Sequence, residues 1–331
     1  MKNNLKIATR SSKLALWQAN FIKEELLKLH PELNIELKEI KTKGDHILDV
    51  ALSKIGDKGL FTKEIEDSIL NNESDIAVHS LKDLPTKLPD GLKIGAILNR
   101  ESAHDVIIWR TEDRGQKTED RDQIDDTPSS QLAALSPGSK IGTSSLRRIS
   151  QLKSIRPDLE YIEIRGNVDT RIKKLDDGNY DGIVLAYAGV KRLGFENRIS
   201  YHFNPEEMLP AVGQGALAIE IRENDNEIKT LISKLNDEKS YLTGICERAF
   251  LRKLEGGCQV PIGAYTKTEG DNITLFGLIA SLDGKEIVRD KLTGHKNDSE
   301  KLGTELAEML LRNGGIKIVK SFRQGSESFR G

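Results

Sequence analysis

The chain has 331 residues, enough for two or three domains at about 150 residues each. Its 50 Lys and Arg against 52 Asp and Glu leave a formal charge of −2, a balance that speaks against a dedicated nucleic-acid binder, which carries a basic excess. No apolar run nears the roughly 18 residues needed to cross a bilayer, the first residues (Met1-Lys2-Asn3-Asn4-Leu5-Lys6) show no apolar signal core, and Cys246 and Cys258 form neither a C-x-x-C nor a disulfide framework, so a cytoplasmic, reduced protein is expected.

Short apolar runs alternate with helical patterns through the first two thirds, which predicts α/β layers with mostly parallel sheets. Leu5 to Ala8 reads as a strand, and Ser11 or Ser12 can cap a helix carrying Leu14, Trp17, Phe21, Leu26 and Leu29 on one face. Further strands are expected at Ile35–Ile40, Asp75–His79, Ile94–Leu98, Lys140–Gly142, Tyr161–Ile164, Gly182–Ala186 and Leu217–Ile221, with helices such as Phe61–Leu70 and Val168–Leu175 between them. The stretch from Ile7-Ala8-Thr9-Arg10-Ser11-Ser12 through Pro31-Glu32-Leu33 to Gly44-Asp45 parallels that from Ile141-Gly142-Thr143-Ser144-Ser145 through Pro157-Asp158-Leu159 to Gly166-Asn167. Two similar lobes facing across a cleft would produce that repetition.

Residues 111–126 differ in character: seven acids, three bases and no apolar period read as a surface insertion. The last third reads as an α+β unit. Ser240–Leu254 is an amphipathic helix, Ile273–Leu282 and Lys285–Leu292 flank Asp283-Gly284 as a hairpin with a two-residue type I′ turn, and Ser299–Arg312 is a closing helix. The expected division is residues 1–99 with 216–237, residues 100–215, and residues 238–331.

Cationic side chains fall where an α/β cleft would open. Arg10 follows the first strand, and Lys82 with Asp83 follows the strand ending at His79. Arg147 and Arg148 stand in a helix's first turn, Arg165 ends a strand, Arg171 lies one turn beyond Asn167, and Lys191-Arg192 follows the Ala186–Gly189 junction. Ligands of open α/β sheets bind outside the carboxyl ends of the strands. The helix dipole disfavours arginine in a first turn, and guanidinium matches carboxylate bidentately, so a polyanionic ligand is expected. No P-loop is present, and Gly213-Gln214-Gly215-Ala216-Leu217-Ala218 leads into a strand rather than the helix a dinucleotide fingerprint requires. The six histidines show no zinc spacing, so no metal is expected, and His79 reads as a core or hinge histidine. Cys246 lies on an apolar helical stripe. Cys258 follows two glycines in a loop, where a covalent attachment competes with an incidental thiol.

Several ordered blocks add a resemblance. Ala8-Thr9-Arg10-Ser11-Ser12-Lys13-Leu14-Ala15-Leu16-Trp17-Gln18-Ala19, Lys58-Gly59-Leu60-Phe61, Ala77-Val78-His79-Ser80-Leu81-Lys82-Asp83-Leu84-Pro85 and Gly142-Thr143-Ser144-Ser145-Leu146-Arg147-Arg148 are followed by Arg165-Gly166-Asn167-Val168, Leu209-Pro210-Ala211-Val212-Gly213-Gln214-Gly215 and Leu254-Glu255-Gly256-Gly257-Cys258-Gln259-Val260-Pro261. Across essentially its whole length the chain resembles the hydroxymethylbilane synthase, or porphobilinogen deaminase, family. The resemblance implies two doubly wound lobes like those of periplasmic binding proteins, plus a small α+β domain. It implies that four porphobilinogens are joined head to tail with loss of ammonia, and that water then releases hydroxymethylbilane.

It also implies a dipyrromethane cofactor on a thioether to Cys258, with Lys82, Thr143, Ser144, Ser145, Arg147 and Arg148 around it. Arg10, Ser12, Arg165, Arg171 and Arg192 would hold the acetate and propionate groups of the substrate pyrroles, and Asp83 would stabilise the azafulvene cation and move protons. A monomer that engages porphobilinogen, but neither nucleic acid nor membrane, is expected. The acidic segment near residues 111–130 is longer than the bacterial pattern and carries no family role, and the tail Gln324–Gly331 is uninformative. Two rivals remain at this point. A two-lobe binding protein for a polyanionic solute has no use for Gly-Gly-Cys in a third domain, and a phosphate-ester enzyme calls for a metal or P-loop signature.

Overall fold

The computed structural model describes residues 3–46, 59–110, 132–133, 135–254 and 260–327; the acidic segment, Lys58 and Cys258 lie outside the described residues. In chain order the elements are β1 (Asn4–Thr9), α1 (Lys13–Leu29), β2 (Asn34–Glu39), α2 (Lys43–His46), α3 (Lys63–Leu70), β3 (Ile76–Ser80), β4 (Leu92–Ile97) and β5 (Asp105–Trp109). Then come β6 (Lys140–Gly142), α4 (Leu146–Ile155), β7 (Glu160–Ile162), α5 (Val168–Asp176), β8 (Gly182–Ala186), α6 (Tyr187–Arg192), β9 (Tyr201–His202), β10 (Leu217–Arg222) and α7 (Asn226–Ile232). The last elements are α8 (Glu238–Lys253), β11 (Ile262–Glu269), β12 (Asn272–Ala280), β13 (Ile287–His295), α9 (Ser299–Leu310) and α10 (Ile316–Glu327).

The first sheet runs β2-β1-β3-β10-β4 and the second β7-β6-β8-β5-β9. In each, the first three strands are parallel and the fourth is antiparallel to both neighbours. The same order twice is the expected pair of doubly wound lobes. The antiparallel strands are also the crossovers: the chain leaves lobe one after β4 to enter β5, and leaves lobe two after β9 to enter β10. Lobe one has apolar layers on both sheet faces. Leu5, Ile7 and Val78 pack with Ala19, Ile22 and Leu26 of α1, while Ala8 and Ala77 meet Ile65 and Ile69 of α3. Each fully buried Ile or Leu contributes about 1.5–3 kcal/mol over its exposed state.

In the third unit β11-β12-β13 form an antiparallel sheet. Cys246 and Phe250 of α8 and Leu306 and Leu310 of α9 cover one face against Leu275 and Ile279. Cys246 is a fully buried core residue, as expected, and burial pushes its thiol well above the usual range. The β12–β13 connection departs from the expected two-residue type I′ turn. That turn needs positive φ at both central residues, and only Gly284 has it, at +72°. Ser281 N instead donates to Glu286 O (2.8 Å), and Asp283 accepts from Ser281 Oγ and Lys285 N, closing a longer loop.

Candidate active-site cleft

The lobe-one wall starts where β1 ends. Arg10 stacks 4.3 Å above the Phe61 ring, and Ser12 caps α1 by accepting from Ala15 N at 3.3 Å. One turn on, Gln18 donates to Ser80 Oγ at the end of β3 (2.9 Å). The 3₁₀ turn Leu81–Asp83 then buries Leu81 and leaves Lys82 and Asp83 on the surface. Arg248 of α8 holds the next residues by donating to Leu84 O and Pro85 O. Arg10, Ser12, Gln18, His79, Ser80 and Asp83 share the lining of a cavity of about 60 Å³.

The lobe-two wall starts where β6 ends. Thr143 is buried and its Oγ1 accepts from Ser145 N at 3.3 Å. Ser144 Oγ donates to Ile164 O (2.6 Å) and accepts from Ile164 N (3.2 Å), so this hydroxyl fastens the loop to the strand beside it. Ser145 precedes the first turn of α4, which carries Arg147 and Arg148. Both arginines are buried, at 5% and 6% exposure, and both donate to Asp105, the first residue of β5. Arg147 Nη1 also donates to Leu209 O, Arg148 Nη1 to Val184 O, and Gln214 Nε2 to Asp105 Oδ1.

The pair therefore has an internal partner that the sequence did not show. Their placement against the helix dipole is answered first by an internal carboxylate, because a guanidinium this deeply buried needs a fixed counter-charge. Burial alone would raise the Asp105 carboxyl, but Arg147 and Arg148 reverse that and hold it well below the usual carboxylate range.

The cations nevertheless form one electrostatic group. Lys82 keeps contact with solvent, but the protein crowded around it in the cleft, and then Arg148 and Arg147, hold it below the ordinary lysine range, while Asp83 and Asp105 oppose the shift. Arg171 is lowered to about 10 by burial, with Arg148 and Arg165 adding to it. The field thus runs from Lys82 on lobe one through Arg147 and Arg148 to Arg171 and Arg165 on lobe two. Arg165 Nε is 2.6 Å from Glu163, and Arg171 Nε donates to Gly166 O.

Arg192 stands at the crossover: it donates to Gly215 O (2.7 Å), lies 5.7 Å over the Trp17 ring, and is lowered to about 10 by burial, with Glu101 opposing. A Lys13–Asp169 ion pair of 2.8 Å joins the two lobes. The structure therefore brings every described residue of the expected set onto these walls or the crossover. Sequence reasoning missed Asp105, Gln214 and the His79–Glu220 pair. The signal for Asp105 was the Arg-Arg doublet itself, which demands an acid.

Two family models match the chain: the porphobilinogen deaminase dipyrromethane cofactor binding domain over residues 5–230, and the porphobilinogen deaminase C-terminal domain over residues 241–312. The chain belongs to the porphobilinogen deaminase family. The porphobilinogen deaminase of Carboxydothermus hydrogenoformans is 48% identical over 98% of this chain and 99% of its own length. That of Chlorobaculum tepidum is 49% identical over 98% and 99%, and that of Prochlorococcus marinus strain MIT 9515 is 50% identical over 96% of each. Among solved structures, a TRAP periplasmic solute binding protein from Desulfovibrio salexigens covers 74% of this chain and 75% of its own at 14% identity and a TM-score of 0.42, a likeness on which nothing further rests. The cofactor-binding model spans both walls of the cationic cleft.

The residues present fit a dipyrromethane. Lys82, Arg147, Arg148 and Arg171 outnumber Asp83 and Asp105, and Arg147 Nε is buried without a hydrogen-bond partner. An anion with an acetate and a propionate on each of two rings matches that donor set.

Proposed function

We propose that this cleft is where the family's reaction takes place, with Asp83 as its catalytic carboxylate and Cys258 as the covalent anchor of the cofactor. The activity is that of a transferase: porphobilinogens are condensed head to tail with loss of ammonia on a dipyrromethane primer, and the linear tetrapyrrole hydroxymethylbilane is released by water. When bound, the dipyrromethane supplies the pyrrole carbon to which the first substrate adds.

Around it, Lys82, Arg147 and Arg148 hold carboxylates by charge-assisted hydrogen bonds. Thr143, Ser144 and Ser145 supply the loop that leads into α4, Ser144 by fastening it to Ile164. Arg10, Ser12, Arg165, Arg171 and Arg192 take the acetate and propionate of the incoming ring. A guanidinium presents two parallel donors to a carboxylate, so it orients the ring as well as attracting it. Asp83 meets the positive charge that develops on the substrate pyrrole when ammonia leaves. Its carboxylate stabilises that charge without reorganising, because Arg248 and Pro85 keep the turn in place. The assignment includes the domain division at residues 99/100, 215/216 and 237/238, a monomeric state, and a cytoplasmic protein without nucleic-acid or membrane partners. No described helix is long and apolar enough to cross a membrane.

The observation that carries this reading is the continuous cationic field across both lobes, interrupted by Asp83 at its exposed end. Asp83→Asn tests it: the side chain keeps its size but loses the full charge. Turnover of protein shown by intact mass to carry the primer should fall by roughly 10² or more with modest change in KM. Turnover within a few-fold of the parent would make Asp83 a loop-shaping residue.

A further inference from the structure

A buried titratable cluster lies behind the Asp83 turn. His79 and Glu220 sit on adjacent antiparallel strands, His79 opposite Ala218 and Glu220 opposite Ala77, so alternation places both side chains on the sheet face covered by α3. His79 Nε2 is 3.0 Å from Glu220 Oε2. Their residues are 6% and 0% exposed, among Ala8, Ile65, Ile69 and Ala77. From α3, Glu66, itself 5% exposed, enters the same layer, and neither Glu66 Oε1 nor Glu220 Oε1 has a hydrogen-bond partner. An imidazole and two carboxyl groups in an apolar layer are costly to bury. Such a cluster calls for a reason, and one edge of it opens on chemistry: His79 lines the same small cavity as Asp83, Arg10, Ser12 and Ser80.

We propose that His79, oriented by Glu220, is a proton-holding positioning residue for the condensation, with Glu66 as the buried acid that supports its protonation cycle. This rests on the assignment of the Asp83 cleft as the active site. A carboxylate behind Nε2 fixes the tautomer, so that Nδ1 is the ring's free base. Each condensation breaks one C–N bond and one C–H bond and forms one C–C bond. The proton released from carbon equals the one that departing ammonia needs to leave as ammonium.

Asp83 faces both events but has a single carboxylate to serve them. Nδ1 of His79 takes up the released proton by way of the shared cavity and returns it to the ammonia, so no net proton is gained or lost. The groups facing the imidazole are Glu220 from β10, Glu66 with Asp67 behind it from α3, and Asp83 and Arg10 across the cavity; Arg248 of α8 acts on Glu220. Burial raises the Glu66 carboxyl above its ordinary range, Thr62 and His79 oppose that, and the charge of Glu220 adds to it. Glu66 therefore holds its proton further toward neutral pH than a solvated glutamate.

The test uses the primed holoenzyme, with primer content read by intact mass. His79→Asn should lower kcat about tenfold or more at neutral pH, leave KM within twofold, and displace the acid limb of the kcat–pH profile. Glu66→Gln, which keeps volume, should displace the same limb. As an activity-independent readout, the ring-nitrogen resonances of His79, assigned by their loss in His79→Asn, should show the Nε2–H tautomer in the parent and lose that preference in Glu220→Gln. A parent-like pH profile in primed His79→Asn overturns the proposal. If His79→Asn does not fold, a parent-like profile in Glu66→Gln together with an unchanged His79 tautomer in Glu220→Gln overturns it equally. An effect of Asp83→Asn without one at His79 rejects this inference alone; an absence of effect at both rejects the cleft assignment.

Discussion

The Asp105 hub makes the strongest demand on the electrostatics. Its carboxylate is fully buried and accepts from Arg147 Nη1 at 2.7 Å, Arg148 Nη2 at 2.7 Å, Arg148 Nε at 3.1 Å and Gln214 Nε2 at 2.9 Å. Asp105→Asn keeps the shape, but turns an amide N–H₂ toward donors and leaves two buried guanidinium charges with no internal counter-charge. Breaking a buried pair from one side costs about 3–5 kcal/mol. At roughly 2–4 °C per kcal/mol for a domain of this order, the unfolding transition of lobe two should fall by about 10 °C.

The effect has a pH signature. The folded-state pKa of Asp105 lies below its unfolded value of 3.8, so its stabilisation is complete at neutral pH and is lost as the pH drops below that value. The gap between parent and variant should therefore be widest near neutrality and narrow in acid. Calorimetry or circular dichroism across pH 3 to 8 reads both quantities. An Asn variant melting within about 2 °C of the parent at neutral pH would show that the two arginines find their balance elsewhere, and the hub argument would be wrong.

On the anchor, intact mass and peptide mapping of active protein should find two pyrrole units on Cys258, and Cys258→Ala protein should lack them; active protein with an unmodified Cys258 rules the anchor out. At the crossover, Gly215 has φ +90° and an added Cβ would lie 2.2 Å from Glu101 O, against backbone that cannot step aside. Gly215→Ala should cost roughly 3 kcal/mol or more. Gly194→Ala, at φ +73° with open space around it, should cost only about 1–2 kcal/mol by thermal melting, so equal losses would refute the role of contact.

Much of this was legible in the sequence, for identifiable reasons. Strands and helices that alternate with clean periodicity, such as Gly182–Ala186 and Val168–Asp176, stand within a residue of expectation, and Ser12 caps α1 because serine satisfies its first-turn donors. The repeated lobes were visible because the same Gly, Ser and Pro punctuation recurs. β5 was not read, since Asp105-Val106-Ile107-Ile108-Trp109 follows a crossover rather than a helix and its leading acid looks like a strand-edge residue. The cationic positions of the site were readable one by one, but their neutralising partners were not. Asp105 meets Arg147 and Arg148 only through tertiary structure, as Glu220 meets His79. The type I′ turn failed because Asp-Gly is compatible with several loops, and the pairing of Ser281 with Glu286 selected a longer one.

A second buried acid explains how the third unit is attached. Glu247 of α8 is fully buried and takes Arg100 in a two-point pair, Nη1 to Oε1 at 2.6 Å and Nη2 to Oε2 at 3.1 Å. Its Oε2 also accepts from Gly213 N, and its Oε1 from Thr266 N and Oγ1. Arg100 lies on the first crossover and further donates to Gln214 O on the second. One carboxylate thus ties both crossovers to α8 and β11. Asp105, reached from the second crossover by Gln214, ties the same place to the arginines of the lobe-two wall. The third unit is therefore fastened, through α8 and β11, at the segments that join the lobes. Of the two buried acids, Asp105 fastens the arginines of the lobe-two wall and Glu247 fastens the third unit to the crossovers.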